Sequence, residues 1–245
     1  MVTPGTAAQT GPGAPGRGFE GEFETHVTVG CDAAEPSRLE ALAAWAADSG
    51  VKLTHIMLGR GRVRSQPMLT LLGTGTLADQ RDAAAATLLG LTEAGLRPTR
   101  VKVEAAPGNA GVPHTDEHAL RLGREFYFEH HIKLSLTPDT DLESLAGLVI
   151  PHGAHLSWNA RRQRAEGADE RFVTQRCHGV GLPEAGSRLE ILRTELRAHG
   201  YQILSTVQEF VVFDSDESLD AGWIDQPPPR PQVQPDTPES EFEPT

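Results

Sequence analysis

Two short stretches decide the predicted fold: Glu24-Thr25-His26-Val27-Thr28-Val29 and Glu129-His130-His131-Ile132-Lys133-Leu134. In both stretches apolar residues occupy alternate positions, which is the pattern of a strand that buries one face. The other face of each strand carries a polar row, formed by Glu24, His26 and Thr28 in the first and by Glu129, His131 and Lys133 in the second. The pattern therefore predicts two strands that present ionisable side chains opposite their apolar rows.

The segments that follow the two stretches also correspond to each other. Residues 39–42 correspond to 142–145, 51–54 to 154–157, 68–70 to 172–174, and 101–104 to 206–209. The repeat is about a hundred residues long, which is the size of a small domain and too long for a solenoid unit. We therefore predict a tandem duplication.

Each copy is predicted to contain the order strand, helix, strand, strand, helix, strand. A glycine follows each of the four predicted helices, at Gly50, Gly95, Gly153 and Gly200, as is common after helix ends. In the first copy the third strand is predicted at residues 67–72, with Gly73 and Gly75 in the turn after it. This order is the ferredoxin-like βαββαβ pattern. We predict an α+β fold in which two pseudo-symmetric ferredoxin-like lobes form one body, residues 19–225.

Composition divides the chain into five predicted segments. Residues 1–18 are rich in Gly, Pro, Ala and Thr, and residues 226–245 are rich in Pro, Asp and Glu. Segments of this kind cannot bury enough apolar surface to offset their ordering entropy, so both are predicted to be disordered tails. The first lobe is predicted at residues 19–104, a linker at 105–126, and the second lobe at 127–225.

The overall charge and the cysteine content exclude several classes of protein. A net charge of -12 at pH 7 argues against broad binding to nucleic acid or to anionic membranes. Cys31 and Cys177 are too far apart for a CxxC pair, so neither a disulfide framework nor a thiolate zinc site is predicted. Neither a secretory signal nor a stretch of about 18 apolar residues is apparent. We therefore expect cytoplasmic localisation, and the sequence is compatible with a homo-oligomer.

A shared cleft is the predicted functional site. In ferredoxin-like lobes one sheet face lies open, and two open faces or edges that meet would bring both polar rows together. His26 and His131 are then candidates for proton transfer, because histidine titrates near neutral pH. The alternative interpretation is that the repetition reflects common ancestry alone, and that Glu24 and Glu129 belong to a solvated surface.

His26-Val27-Thr28-Val29 resembles the His-x-Thr-x strand signature of the 2H phosphoesterases. That resemblance implies two pseudo-symmetric lobes that each supply one motif, with the two histidines as general base and general acid and the hydroxyls holding a phosphate. His155-Leu156-Ser157-Trp158 is the second candidate motif, although the position corresponding to His26 is His131. The resemblance therefore implies roles for His155, Thr28 and Ser157.

Two basic hairpins independently suggest an anionic ligand. Between the second and third strands of each copy the arginines are Arg60, Arg62 and Arg64, and Arg161, Arg162 and Arg164. Guanidinium groups bind phosphate and carboxylate through paired hydrogen bonds. The alternative is that these are solvated turns that balance nearby acidic residues.

We predict an enzyme, similar to a phosphoesterase or another hydrolase, that acts without a cofactor on a small phosphorylated or otherwise anionic substrate. Acid–base roles are assigned to His26, His131 and His155; substrate-binding roles are assigned to Thr28, Lys133, Ser157, Arg62, Arg162 and Arg164. One alternative is a zinc or iron enzyme that uses Glu24, His26, Glu129 and His131 as ligands. Lys133 favours the metal-free prediction, because its charge would repel a cation. A non-catalytic binding module is the other alternative, since this fold hosts many functions.

Overall fold

The computed structural model describes residues 18–31, 36–161 and 169–224. The strands are β1 (Glu20–Val29), β2 (Lys52–Leu58), β3 (Ser65–Thr76), β4 (Pro98–Ala105), β5 (Tyr127–Leu136), β6 (Ala154–Asn159), β7 (Asp169–His178) and β8 (Gln202–Asp214). The helices are α1 (Pro36–Asp48), α2 (Leu77–Glu93), α3 (Asp116–Leu122), α4 (Leu142–Val149) and α5 (Leu182–Ala198), with 3₁₀ turns at Ile150–His152 and Glu217–Asp220. The predicted α+β class is therefore confirmed.

The order strand, helix, strand, strand, helix, strand occurs before α3 and again after it. All neighbouring strands are antiparallel, and they close into a barrel with the order β1-β3-β2-β6-β7-β5-β8-β4. The first four strands join the last four at two seams, β2 with β6 and β4 with β8. A tandem duplication of superposable copies stays a prediction.

Barrel closure changes where the polar rows lie. The sequence analysis placed them in a cleft between two lobes, whereas edge-to-edge pairing turns one face of every strand towards a common interior. Val27 and Ile132, from the apolar rows, are completely buried on the outer face of the barrel wall, among the residues of two hydrophobic clusters. Because strand side chains alternate, the rows that contain His26 and His131 face the interior.

The helices cover the outside of the barrel. Helices α1 and α2 contact strands of the first half, and α4 and α5 contact strands of the second half. In the second half, Leu145 of α4 and Leu192 of α5 belong to a cluster that includes Ile132 and Val173. These contacts hold the barrel wall and thereby position the inward-facing side chains. In the part of the chain that the structure describes, no helix has both the length and the apolar character needed to cross a membrane.

Neighbouring residues of α5 provide a direct test of this core. Leu192 is 0% exposed and Ile191 is 58% exposed. We expect Leu192→Ala to lower the free energy of unfolding by about 2 to 5 kcal/mol, because it removes buried methyl groups and leaves a cavity. Ile191→Ala is the matched control and should change the free energy of unfolding by less than about 0.5 kcal/mol. Equal losses in urea-induced unfolding would contradict the assigned orientation of α5.

Candidate functional site

The barrel encloses a cavity of about 280 Å³. Its lining includes the polar side chains of Glu24, His26, Thr28, Thr70, Lys102, Glu129, His131, Ser157, Thr174 and Glu209. Apolar side chains, among them Ile56, Met68, Phe172 and Val207, line other parts of it. The cavity therefore combines an ionisable region with apolar surface, as ligand pockets usually do.

His26 is held between a hydroxyl group and two carboxylates. Its Nδ1 lies 3.2 Å from Thr70 Oγ1 on β3. Its Nε2 lies 2.9 Å from Glu104 Oε2 and 3.6 Å from Glu24 Oε1. Both ring nitrogens are thus engaged by residues of neighbouring strands, which fixes the plane of the imidazole.

His131 has the corresponding set of contacts in the second half. Its Nδ1 lies 3.0 Å from Thr174 Oγ1 on β7. Its Nε2 lies 3.3 Å from Glu129 Oε1 and 3.6 Å from Glu209 Oε2. Burial alone would lower the pKa of His131, but the hydrogen bond and charge of Glu129, aided by Glu209, raise it above its ordinary value.

Glu104 is the most enclosed carboxylate of the site, with a side chain that is 0% exposed. Lys102 Nζ lies 2.6 Å from its Oε1, and His26 Nε2 lies 2.9 Å from its Oε2. Each buried oxygen of this carboxylate is therefore in close contact with one nitrogen group. Burial opposes ionisation, but the charges of Lys102 and His26 hold the pKa of Glu104 at about 2.

Glu209 has the opposite electrostatic environment. Burial raises its pKa to about 8, and the negative charge of Glu104 acts in the same direction. The charges of His131 and Lys102 offset this shift only in part, and the ammonium group of Lys102 lies closer to other carboxylates, 2.6 Å from Glu104 and 2.6 Å from Glu129. A cation placed beside Glu209 would therefore remove a substantial electrostatic penalty.

His131 and Glu209 of the cavity lining are arranged as a metal-ligand set with Glu104, which is buried beside them. Ligand atoms of Glu104, His131 and Glu209 all lie within 4.8 Å of one another. They come from β4, β5 and β8, which are adjacent in the barrel, so rigid strands position all three. Among the described residues, no second group of His, Cys, Asp and Glu side chains has such spacing.

An acidic residue from the segment after β8 closes one end of the cavity. Asp220 Oδ1 lies 3.1 Å from Gln66 Nε2 and 3.1 Å from Arg100 Nη1, and Arg176 Nη2 lies 2.6 Å from Oδ2. Arg100 also donates to Asp214, with Nε 2.8 Å from Oδ1. Because Asp220 contacts inward-facing side chains of three strands, β3, β4 and β7, the segment after β8 acts as a plug at this end. His131 of the same cavity keeps 28% of its side chain exposed.

The structure brings only part of the predicted set together. His26, His131, Thr28, Ser157, Glu24 and Glu129 line the cavity. His155 does not line it with the other histidines, because its Nδ1 lies 3.0 Å from Arg60 Nη2 at a separate groove. Lys133 Nζ lies 3.4 Å from Glu170 and above the ring of Phe172, which removes the electrostatic argument against a cation.

Of the three predicted arginines the structure describes Arg62, which does not line the cavity. Arg62 is exposed, and its backbone N–H donates to Ala221. Arg162 and Arg164 lie outside the described residues. The cations that do line the cavity are Lys52, Arg100, Lys102 and Arg176. For Arg100 and Lys102 the alternation of β4 was an available signal, since both share a strand face with Glu104.

Comparison with known proteins gives little further information. No protein-family model and no curated protein matches the chain. Similar solved structures include a chlorite dismutase variant from Candidatus Nitrospira defluvii, 16% identical over 82% of this chain and 93% of that one, with a TM-score of 0.26. A second is the acetolactate synthase small subunit from Thermotoga maritima. It is 13% identical over 79% of this chain and 95% of that one, with a TM-score of 0.26. A third is chlorite dismutase from the same organism in complex with imidazole. It is 13% identical over 78% of this chain and 91% of that one, with a TM-score of 0.26.

The predicted resemblance to 2H phosphoesterases is wrong. The similar solved structures named above are chlorite dismutases and an acetolactate synthase subunit. The two proposed motifs are also not equivalent in the barrel. His26 lies on β1, the first strand of its half, whereas His155 lies on β6, the second strand of its half. The residue that repeats the contacts of His26 is His131, and its strand carries Lys133 at the position of the motif hydroxyl.

Proposed function

We propose that the barrel is a metal-dependent enzyme in which Glu104, His131 and Glu209 bind one divalent transition-metal ion beside a small-substrate cavity. The observation that carries the proposal is the 4.8 Å grouping of the three ligand atoms. Nitrogen and oxygen ligands lie about 2.0 to 2.2 Å from zinc, so two ligands of one ion are at most about 4.4 Å apart. Side-chain movements of up to about 1 Å by each ligand would bring the three atoms to the separations of roughly 3.3 to 3.6 Å that a tetrahedral site requires.

The ligand types favour a catalytic transition metal over a structural one. One imidazole and two carboxylates suit Zn²⁺, Fe²⁺ and Mn²⁺. Three protein ligands leave at least one coordination position for water or substrate, as in catalytic zinc sites. A bound ion of this kind polarises a substrate oxygen or lowers the pKa of a bound water. Thr174 supports the site because its hydroxyl fixes Nδ1 of His131, so that Nε2 faces the carboxylates.

The pairing of interior cations also favours a metal over an anionic substrate. Arg100 contacts Asp214 and Asp220, and Lys102 contacts Glu104 and Glu129. Arg176 is similarly occupied by Glu129 and Asp220. Lys52, the remaining cation of the lining, is exposed. When Glu104 turns to an ion, Lys102 keeps Glu129 as its partner.

A metal-free acid–base enzyme that uses the same side chains is the second candidate. The neighbours of Glu104 and Glu209 separate their pKa values, to about 2 and about 8. Two carboxyl groups with such different pKa values are typical of an acid–base pair. This second candidate requires no metal ion. If the protein binds no metal ion, the acid–base enzyme replaces the metal-dependent enzyme as the proposed function.

Metal titration of chelator-treated protein tests the proposal. We expect one Zn²⁺, Fe²⁺ or Mn²⁺ ion per chain by equilibrium dialysis with elemental analysis. His131→Ala should weaken binding by at least about 100-fold, because loss of a ligand costs no less than loss of a group that orients one. His199→Ala, at an exposed histidine, is the matched control. Absence of binding, or unchanged binding by His131→Ala, would contradict the proposed site.

A further inference from the structure

A second concave site lies outside the barrel, where the turn after β2 approaches α4 and β6. We call it the tryptophan groove, and define it by Arg60, Arg64, Trp158 and Arg171. Its volume is about 390 Å³, within the range of small-molecule sites. The metal-ligand residues do not line it, so its ligand is independent of the proposed metal.

The centre of the groove is an indole ring with two guanidinium groups close to it. Arg171 Cζ lies 5.1 Å from the centroid of the Trp158 ring, and Arg64 Cζ lies 6.0 Å from it. Both distances are within the range of cation–π contacts. Both arginines are therefore held near the ring.

Two of the three arginines have no carboxylate partner in the described part of the chain. Arg60 donates to the backbone oxygen of Trp223 from Nε at 3.1 Å and from Nη2 at 3.0 Å. Arg64 donates from Nε to the backbone oxygen of Leu58 at 3.0 Å. These neutral acceptors fix the guanidinium groups without neutralising them. Arg171 differs, because Asp169 lies 3.0 Å from it.

An apolar wall faces the arginines. Leu142 and Ala146 of α4 line the groove with Ile150 and Leu156. Leu142 is 41% exposed, which leaves apolar surface for a ligand to cover. Glu143 is the acidic residue of the lining, and it is exposed on α4. The groove thus offers positive charge on one side and apolar contact on the other.

We propose that the tryptophan groove binds a small organic anion with an aromatic body. Its carboxylate or phosphate group is bound chiefly by the two terminal nitrogens of Arg64, which donates to Leu58 from Nε, since guanidinium groups form paired, charge-assisted hydrogen bonds with these anions. Arg60, whose Nε and Nη2 already contact Trp223 and His155, adds positive charge and a donor from Nη1. Its ring lies against Trp158 and the apolar residues of α4, because aromatic groups stack favourably on indole. Charge and ring are both required, so inorganic phosphate alone binds weakly.

Fluorescence titration with 2-naphthoate, 1-naphthyl phosphate and the neutral naphthalene-2-carboxamide tests the groove. We expect at least one anion to bind at least 10-fold more tightly than the amide. Whichever of 2-naphthoate and 1-naphthyl phosphate binds more tightly shows whether the groove prefers a carboxylate or a phosphate group. Arg64→Gln should weaken anion binding by about 10- to 100-fold, the range for hydrogen bonds to charged groups. Arg161→Gln is the matched control, because Arg161 is exposed nearby and does not line the groove.

Two results would overturn the proposal: equal binding of the amide and both anions, or full anion affinity in Arg64→Gln. Retained anion binding in His131→Ala is expected, because that residue lies in the barrel cavity. Loss of binding in His131→Ala with full binding in Arg64→Gln would place the anion in the cavity instead. If the protein binds no metal ion in the barrel cavity, the expected anion binding at the tryptophan groove is unchanged.

Discussion

Glu209→Gln is expected to weaken divalent-metal binding by at least about 100-fold without destabilising the metal-free barrel. The loss of affinity follows because an amide is a poor replacement for a carboxylate ligand of a transition metal. Equilibrium dialysis and denaturant unfolding of the same variant measure the two effects. Glu22→Gln, at an exposed residue of β1, is the matched control. Unchanged metal binding by Glu209→Gln would contradict its role as a ligand.

The stability effect of Glu209→Gln should depend on pH in a defined direction. Burial and Glu104 raise the pKa of Glu209 from 4.5 to about 8. Between these values the unfolded chain is ionised while the folded carboxyl group takes up a proton, so this group reduces stability as pH rises. Glutamine removes that penalty. We expect no gain near pH 4 and a gain on the order of 1 to 3 kcal/mol near pH 8.

Asp220→Asn should destabilise the protein by about 3 to 5 kcal/mol, because it leaves the buried guanidinium groups of Arg100 and Arg176 with less compensating charge. Asp220 is 4% exposed and contacts both arginines. Urea unfolding at pH 7 measures the loss. Glu217→Gln, in the same 3₁₀ turn and exposed, is the control and should change stability by less than about 0.5 kcal/mol. Similar losses in both variants would show that the turn, and not the charge, is responsible.

The contribution of Asp220 should also disappear in acid. Burial opposes its ionisation, but Arg176 and Arg100 lower its pKa below the ordinary value of 3.8. An acid with a depressed pKa stabilises the folded state above its unfolded pKa and loses that contribution as pH falls through the folded pKa. The difference between the native protein and Asp220→Asn is therefore expected to shrink below pH 4.

Local patterns predicted the strands and helices better than the closure of the sheet. Alternation identified β1 and β5, and glycine followed the predicted helices at Gly50 and Gly200. The third strand was predicted to end at residue 72, but β3 continues to Thr76. A Cβ atom at Gly73 would lie 2.1 Å from Gln80 Oε1. That glycine therefore leaves room for the side chain of Gln80, and it lies within β3 and not in the predicted turn.

Barrel closure could not be predicted from the same patterns. The β2–β6 seam pairs residues about a hundred positions apart, such as Leu58 with Ser157. Alternation determines which face of a strand is apolar, but it does not determine which edge pairs with which. The candidate site shows the same limit. His26 and His131 were identified on their strands, whereas Asp220 follows the last strand, and no local signal indicates that it enters the barrel.

The closed order of the eight strands has a consequence for association with other chains. An open sheet presents a row of unpaired backbone N–H and C=O groups that can template the addition of a foreign strand. Here each strand from β1 to β8 has a neighbour on both sides, so the described residues leave no strand with one whole edge unpaired. The shortest seam pairs only Ile56, Met57 and Leu58 of β2 with β6. A peptide or a second copy could therefore add a full-length strand only by opening a seam, and the β2–β6 seam has the fewest residue pairs to break.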